Sequence, residues 1–203
     1  MDLKATYNKI AEDWSKDHHD DTWWREGTDR FVSELSKGAT ILDVGCGAGL
    51  KSRYLSKKGL KVTGIDFSEK MIEIARRESP EIPFDVVDVY EIDNYPKVFD
   101  AVFAQAVLLH IPKNRVREVL LKLKEKINPN GLLYIAVKGM HDDGIEEAVR
   151  KEDDYGYEYE RFFSFFTLVE LETLLKDLDM EVVWKTSTTS GRAEWLQIVG
   201  RKK

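Results

Sequence analysis

The chain has 203 residues, the size of one domain, and its 42% hydrophobic and 33% charged residues mark it as globular rather than disordered. Thirty-one Lys and Arg against 37 Asp and Glu leave a formal charge of −6, which argues against a general nucleic-acid binder. A lone cysteine, Cys46, makes no internal disulfide and no Cys-rich zinc site.

In chain order, Met1-Asp2-Leu3-Lys4 lacks the apolar stretch of a signal peptide. Residues 1–37 carry Tyr7, Trp14, Trp23 and Trp24 and read as a helical cap before the first strand. Short apolar runs follow at Ile41–Val44, Lys61–Ile65, Phe84–Val89, Phe99–Ala104 and Leu132–Val137, and such runs read as buried parallel strands. The last of them, the longest apolar run, falls far short of the roughly 20 residues that span a bilayer. A soluble, cytoplasmic protein is therefore expected.

Helical patterns fill the gaps. One runs from Ala48 to Lys58, and Ser68 caps another that reaches about Glu78, with Pro80 beyond it. Pro112 opens a third, whose face carries Val116, Val119, Leu120, Leu123 and Ile127. Asn128-Pro129-Asn130-Gly131 reads as a turn. Strands alternating with helices predict a doubly wound α/β sheet with right-handed crossovers.

Residues 138–166 form a long insertion after the fifth strand. Between Asp142 and Glu160 it holds nine acids against Arg150 and Lys151. Tyr155, Tyr157 and Tyr159 alternate there, and Phe162, Phe163, Phe165 and Phe166 follow. Thr167-x-x-Glu170 is a capping box for a helix bearing Leu168, Leu171, Leu174, Leu175 and Leu178. The runs Met180–Thr186 and Trp195–Gly200 lie too close for a helical crossover and are expected to pair antiparallel. With no repeats and no low-complexity linker, residues 1–203 read as a single domain.

The chemistry concentrates at Asp43-Val44-Gly45-Cys46-Gly47-Ala48-Gly49, a glycine loop between a strand and a helix. In an open parallel sheet the ligand crevice lies beyond the carboxyl ends of the strands, where this loop falls. Glycines there permit positive φ and close approach of backbone to ligand. Asp66 comes 19 residues after Gly47, ends the next strand and is placed to accept hydrogen bonds from ribose hydroxyls.

The loop is Gly-x-Gly-x-Gly rather than the dinucleotide Gly-x-Gly-x-x-Gly, and with its context it carries a family resemblance. ILDVGCGAG (41–49) resembles motif I of the class I S-adenosylmethionine-dependent methyltransferases, and GIDFSEKMI (64–72) resembles their second motif. DVVDVYEI (85–92), FDAVFAQAVLLHI (99–111) and LKEKINPNGLLYIAV (123–137) are similar to further segments of that family. The departure is NPNG (128–131), where the family usually has Pro-Gly-Gly, at a turn remote from the pocket.

The resemblance implies a Rossmann-like seven-stranded sheet of order 3-2-1-4-5-7-6 with strand seven antiparallel and helices on both faces. It implies S-adenosylmethionine as cofactor and S-adenosylhomocysteine as product. Gly45, Cys46 and Gly47 would lie against the methionine part, with Gln105 nearby. Asp66 would hold the ribose. Phe67 and Met71 would line the adenine side, where Asp88 and the backbone of Val89 would contact the base. YNKIAEDW (7–14) resembles the cap helix of small-molecule members, so Tyr7 and Trp14 would close over the cofactor.

His110, just past the fourth strand, is the candidate catalytic base, because its ordinary pKa suits proton transfer near neutrality. The acidic insertion is expected to cover the acceptor site and to attract a cationic small molecule. Cys46 shows no sign of thiolate chemistry. His18 and His19 with Asp17, Asp20 and Asp21 suggest a metal cluster, but neighbours on a helix point to different faces, so no metal is expected. Methyl transfer to a small molecule is the leading reading. RFFSFFTLVEL (161–171) distantly resembles enzymes that methylate a modified tRNA base, and a cofactor-holding regulatory subunit is a third possibility. An NAD oxidoreductase fits least. Neither membrane association nor a particular oligomeric state is implied.

Overall fold

The computed structural model describes residues 2–19, 21–141, 143–191 and 193–203. Met1, Asp20 and Asp142, used in the sequence reading, lie outside the described residues, as does Arg192.

Helices α1 (Leu3–Asp17) and α2 (Arg25–Ser33) precede the alternating region. That region runs β1 (Thr40–Val44), α3 (Leu50–Lys57), β2 (Lys61–Asp66), α4 (Glu69–Glu78), β3 (Phe84–Val86), β4 (Phe99–Gln105), α5 (Lys113–Glu125) and β5 (Ile127–Lys138). A hairpin of β6 (Glu147–Glu152) and β7 (Tyr159–Ser164) follows, then α6 (Leu168–Asp177), β8 (Met180–Ser190) and β9 (Ala193–Lys202). Seven strands form one sheet in the order β3-β2-β1-β4-β5-β9-β8, with β9 antiparallel to both of its neighbours. This is the expected topology, because the hairpin β6–β7 pairs only with itself.

Alternation along each strand feeds two cores. In β5, Leu133, Ile135 and Val137 pack with Val116, Val119 and Leu120 of α5 and Leu171 and Leu175 of α6. Leu132, Tyr134 and Ala136 face the other way, onto Phe31 of α2, Leu55 of α3 and Ile72 of α4. Successive side chains on a strand point to opposite faces, so an uninterrupted apolar run is what a sheet covered on both sides requires. The caps form as read. Ser68 accepts from Met71 N–H, and Thr167 with Glu170 closes a capping box on α6.

Three boundaries differ from the sequence reading. The third strand stops at Val86, because Asp88 accepts from Tyr90 N–H and starts a 3-10 turn over Val89–Asn94. Residues 128–131 loop out within β5 rather than before it: Phe99 pairs with Ile127, but Ala101 pairs with Leu132. Asn130 takes the left-handed conformation there, at φ 63°. Ile127 consequently belongs to β5 and not to the α5 face, and Pro112 occupies the cap position of α5 rather than its first turn.

Candidate active site

The carboxyl ends of β2, β1, β4 and β5 lie side by side and floor a cavity of about 310 Å³. Its β2–β1 end is made largely of backbone. Gly45 and Gly47 take φ of +65° and +52°, a region that side chains other than glycine's enter only with strain. A Cβ on Gly45 would come within 2.5 Å of Val107, and one on Gly47 would lie 3.4 Å from the Trp14 ring.

Asp66 is fixed by local amides. Gly47 N–H donates to its Oδ2 at 3.0 Å, and Ser68 N–H donates to its Oδ1 at 2.9 Å. A carboxylate has about four acceptor sites, so both oxygens retain capacity toward the cavity they line. Burial nevertheless pushes its pKa up to about 6, against the lowering effect of those amides. Asp43, held by the Ser52 hydroxyl, is pushed by burial to about 7. The Cys46 thiol, buried and near both carboxylates, is pushed well above its usual value, which keeps it a thiol.

At the end of β4, Gln105 Oε1 is buried without a hydrogen-bond partner. It lines the cavity, so a donor on a bound molecule is what would satisfy it. Phe67, Met71 and Val89 supply apolar walls on the β2 side. Asp88 does not reach the lining, since its carboxylate turns back to cap the 3-10 helix.

The roof comes from α1 and the hairpin. Tyr7 packs edge-on against Phe67, and Trp14 stacks on His18 with centroids 4.2 Å apart. His18 thus joins an aromatic stack and accepts the constraint of a 3.0 Å bond between its Nδ1 and the Trp14 carbonyl. Among the described residues no group of three or more His, Cys, Asp or Glu is placed to share a metal. Hairpin and helix are tied together, with Lys9 donating to the Glu158 carbonyl and Tyr157 to Asp13.

His110 lies beneath that junction. Its Nδ1 is 2.7 Å from the Phe162 carbonyl, which only accepts, so Nδ1 carries the proton. Nε2 therefore holds the lone pair and accepts from the Tyr7 hydroxyl at 2.7 Å. Burial, with the Arg161 and Lys138 charges nearby, drives the His110 pKa down to about 3. The ring is neutral and its one basic nitrogen is already engaged.

Several lining residues were not read as site residues from the sequence. Lys51 points between the rings of Trp14 and Trp24, and its neighbouring charges are Asp21 and Asp43. A lysine in the first turn of α3 opposes the helix dipole, and that local conflict was a readable signal. Lys138 ends the buried run of β5 at the ligand edge. Arg161, Phe163, Trp195 and Trp23 complete the far wall, with Trp23 stacked on Trp195 at 4.0 Å. These came from segments far apart in the chain and carried no shared spacing.

Among the described residues, none of the insertion's acids lines the cavity. Glu152 chelates Arg161, Glu147 accepts from Lys113 N–H, Asp154 from Tyr159, and Glu160 faces Lys151. The expected attraction of a cationic acceptor by these acids thus finds no carboxylate of the hairpin inside.

A model of a family described as a methyltransferase domain matches residues 17–185. The chain belongs to that methyltransferase family. Curated relatives of this methyltransferase include a ubiquinone biosynthesis O-methyltransferase of Methylocella silvestris, 33% identical over 112 residues, 53% of this chain and 43% of that one. The mitochondrial ubiquinone biosynthesis O-methyltransferase of Schizosaccharomyces pombe is 30% identical over 139 residues, 57% of this chain and 50% of that one. The chain thus spans about half the length of these relatives. Among solved structures, the Burkholderia thailandensis 1,6-didemethyltoxoflavin-N1-methyltransferase, with its substrate and S-adenosylhomocysteine bound, superposes with a TM-score of 0.78. It is 21% identical, over 99% of this chain and 87% of that one. The magnesium protoporphyrin IX methyltransferase of Synechocystis with bound S-adenosylmethionine gives 0.72 at 17% identity, over 99% and 95%. At such identities the likeness shows the fold, which is the class I methyltransferase fold expected from the glycine loop. No helix among the described residues is long and apolar enough to cross a membrane.

Proposed function

We propose that this protein, a single domain over residues 1–203, transfers a methyl group from S-adenosylmethionine to a small-molecule acceptor. The observation that carries this reading is Asp66: a buried carboxylate clamped by two backbone amides at the end of β2, facing a cavity floored by Gly45 and Gly47. Gln105 Oε1, buried and lacking a donor, supports it independently.

When bound, the cofactor supplies a methyl on a positively charged sulfur that departs as a neutral thioether. The protein's own work is positioning and exclusion of water. Asp66 accepts from the ribose hydroxyls, and Phe67, Met71 and Val89 enclose the base. Lys51 and Asp21 present opposite charges side by side, suited to the carboxylate and ammonium of an amino-acid group. Gln105 Oε1 takes a donor from that same part. Tyr7 and Trp14 cover the site, and their ring faces favour a nearby cation. His110 acts here as a neutral acceptor that fixes the Tyr7 hydroxyl. Protonating it at neutral pH is unfavourable, because burial holds its pKa near 3.

The acids on the hairpin weigh against a polyanionic acceptor such as tRNA. Calorimetry with S-adenosylmethionine, S-adenosylhomocysteine and NAD tests the cofactor: binding of the first two and not the third is expected, and the converse overturns the reading. Labelled methyl transfer to small acids, phenols, amines and tRNA tests the reaction. Transfer to none of them by a protein that binds the cofactor would leave the regulatory subunit as the better account.

A further inference from the structure

The cavity has a second charged end that the cofactor does not require. Asp66 ends β2 and Lys138 ends β5, three strands along the sheet edge. At about 4.8 Å per strand that is roughly 14 Å. The glycine loop and Gln105 lie between them. If Asp66 holds the ribose, a molecule over Lys138 occupies the acceptor side.

Lys138 Nζ lies 4.3 Å from the Phe163 ring centroid and 6.0 Å from that of Trp195. Among the described residues it has no hydrogen bond and no ion pair. The nearby acid, Glu152, is consumed: both its oxygens accept from Arg161 at 2.6 Å. The carboxylates that do line the cavity lie elsewhere, with Asp43 on Ser52, Asp66 at β2 and Asp21 beside Lys51. A half-buried ammonium between two aromatic rings without a counter-ion is costly unless something pairs with it. Burial and the charge of Arg161 push Lys138 down to about 8, which leaves it mostly charged near neutrality.

We infer that Lys138 selects the methyl acceptor: a small planar molecule, walled by Phe163 and Trp195, whose oxyanion or carboxylate pairs with the Lys138 ammonium. The inference rests on the methyltransferase reading and gives its substrate class as acidic, not cationic. An acceptor that arrives ionised also suits a site where the His110 lone pair is engaged by Tyr7.

The test uses the protein saturated with S-adenosylhomocysteine and three probes that share one ring and differ in charge: benzoate, benzamide and benzylamine. Benzoate is expected to bind about tenfold or more tighter than benzamide, with benzylamine weakest, as a charge-assisted pair dictates. Lys138→Met erases that difference while leaving S-adenosylhomocysteine affinity unchanged, and Lys138→Arg preserves it. A pH series gives a readout that a structural role would not move. The groups facing Lys138 are Arg161 on β7, Arg150 and Glu152 on β6, and His110 beyond β4, whose ring stays neutral. Benzoate affinity therefore falls as pH rises past about 8 in the wild type and stays flat in Lys138→Arg. Equal binding of the three probes, tighter binding of benzylamine, no probe binding to the loaded protein, or an undiminished preference in Lys138→Met overturns the inference. Failure to bind S-adenosylhomocysteine in the first place overturns the methyltransferase reading instead.

Discussion

The two ends of the cavity are built by different means. At the β2–β1 end, consecutive residues do the work: Gly45 to Gly47 supply backbone, and Asp66 is held by amides of Gly47 and Ser68. At the β5 end, Lys138, Arg161, Phe163, Trp195 and Trp23 arrive from four separate segments and meet as side chains. The first takes its shape from loop conformation. The second depends on how the hairpin and the segments around Trp23 and Trp195 pack; on the proposed function, acceptor preference can then vary while the cofactor frame stays constant.

Disrupting the backbone end has the largest expected effect. Gly45→Val places a branched side chain at φ +65° and against Val107, two strains of about 1–3 kcal/mol each. S-adenosylhomocysteine affinity, followed by calorimetry, is expected to fall by more than about a hundredfold. Retained affinity would show that the loop is not the floor of the cofactor site. Asp66→Ala sharpens the contrast, since it removes one acceptor and leaves the loop. A loss of about 1–3 kcal/mol in cofactor binding is expected, without change in the probe selectivity set by Lys138. Unaltered affinity would remove the ribose role.

The smallest effect is expected at the joint between the two ends, and it appears as pH dependence. His110 titrates near 3 when folded against an ordinary value of 6.5, so between these values the unfolded chain binds more protons. Its contribution to stability is complete above pH 6.5 and declines as pH falls toward 3. Asp66, raised from 3.8 to about 6, has the opposite sign: its contribution declines as pH rises through that window. In His110→Asn the fall of Tm below pH 6.5 should be shallower than in the wild type. Parallel curves for the two proteins would show that His110 is not neutral and buried in the folded state.

How much was legible follows the same division. Asp66 and the glycines were readable because their geometry is set by neighbours in sequence, and Ser68 and the Thr167–Glu170 box for the same reason. The antiparallel β8–β9 pair was readable from its short connector. The end of β3 was missed because one side-chain bond, from Tyr90 N–H to Asp88, overrides an apolar run. The state of His110 was missed because its partners, Tyr7 and the Phe162 carbonyl, are 103 and 52 residues away.

The sequence by itself determined the α/β alternation, the crevice at the strand ends and the carboxylate that faces it, since periodicity and local turn chemistry act over a few residues. Only the tertiary structure decided which charges stand inside. Nine acids counted along the insertion say nothing of direction, and the hairpin pairs Glu152 with Arg161 and Glu160 with Lys151 while leaving Lys138 between two rings. Burial and pairing are properties of the assembled fold, and they fix the sign of the charge presented at the β5 end of the cavity.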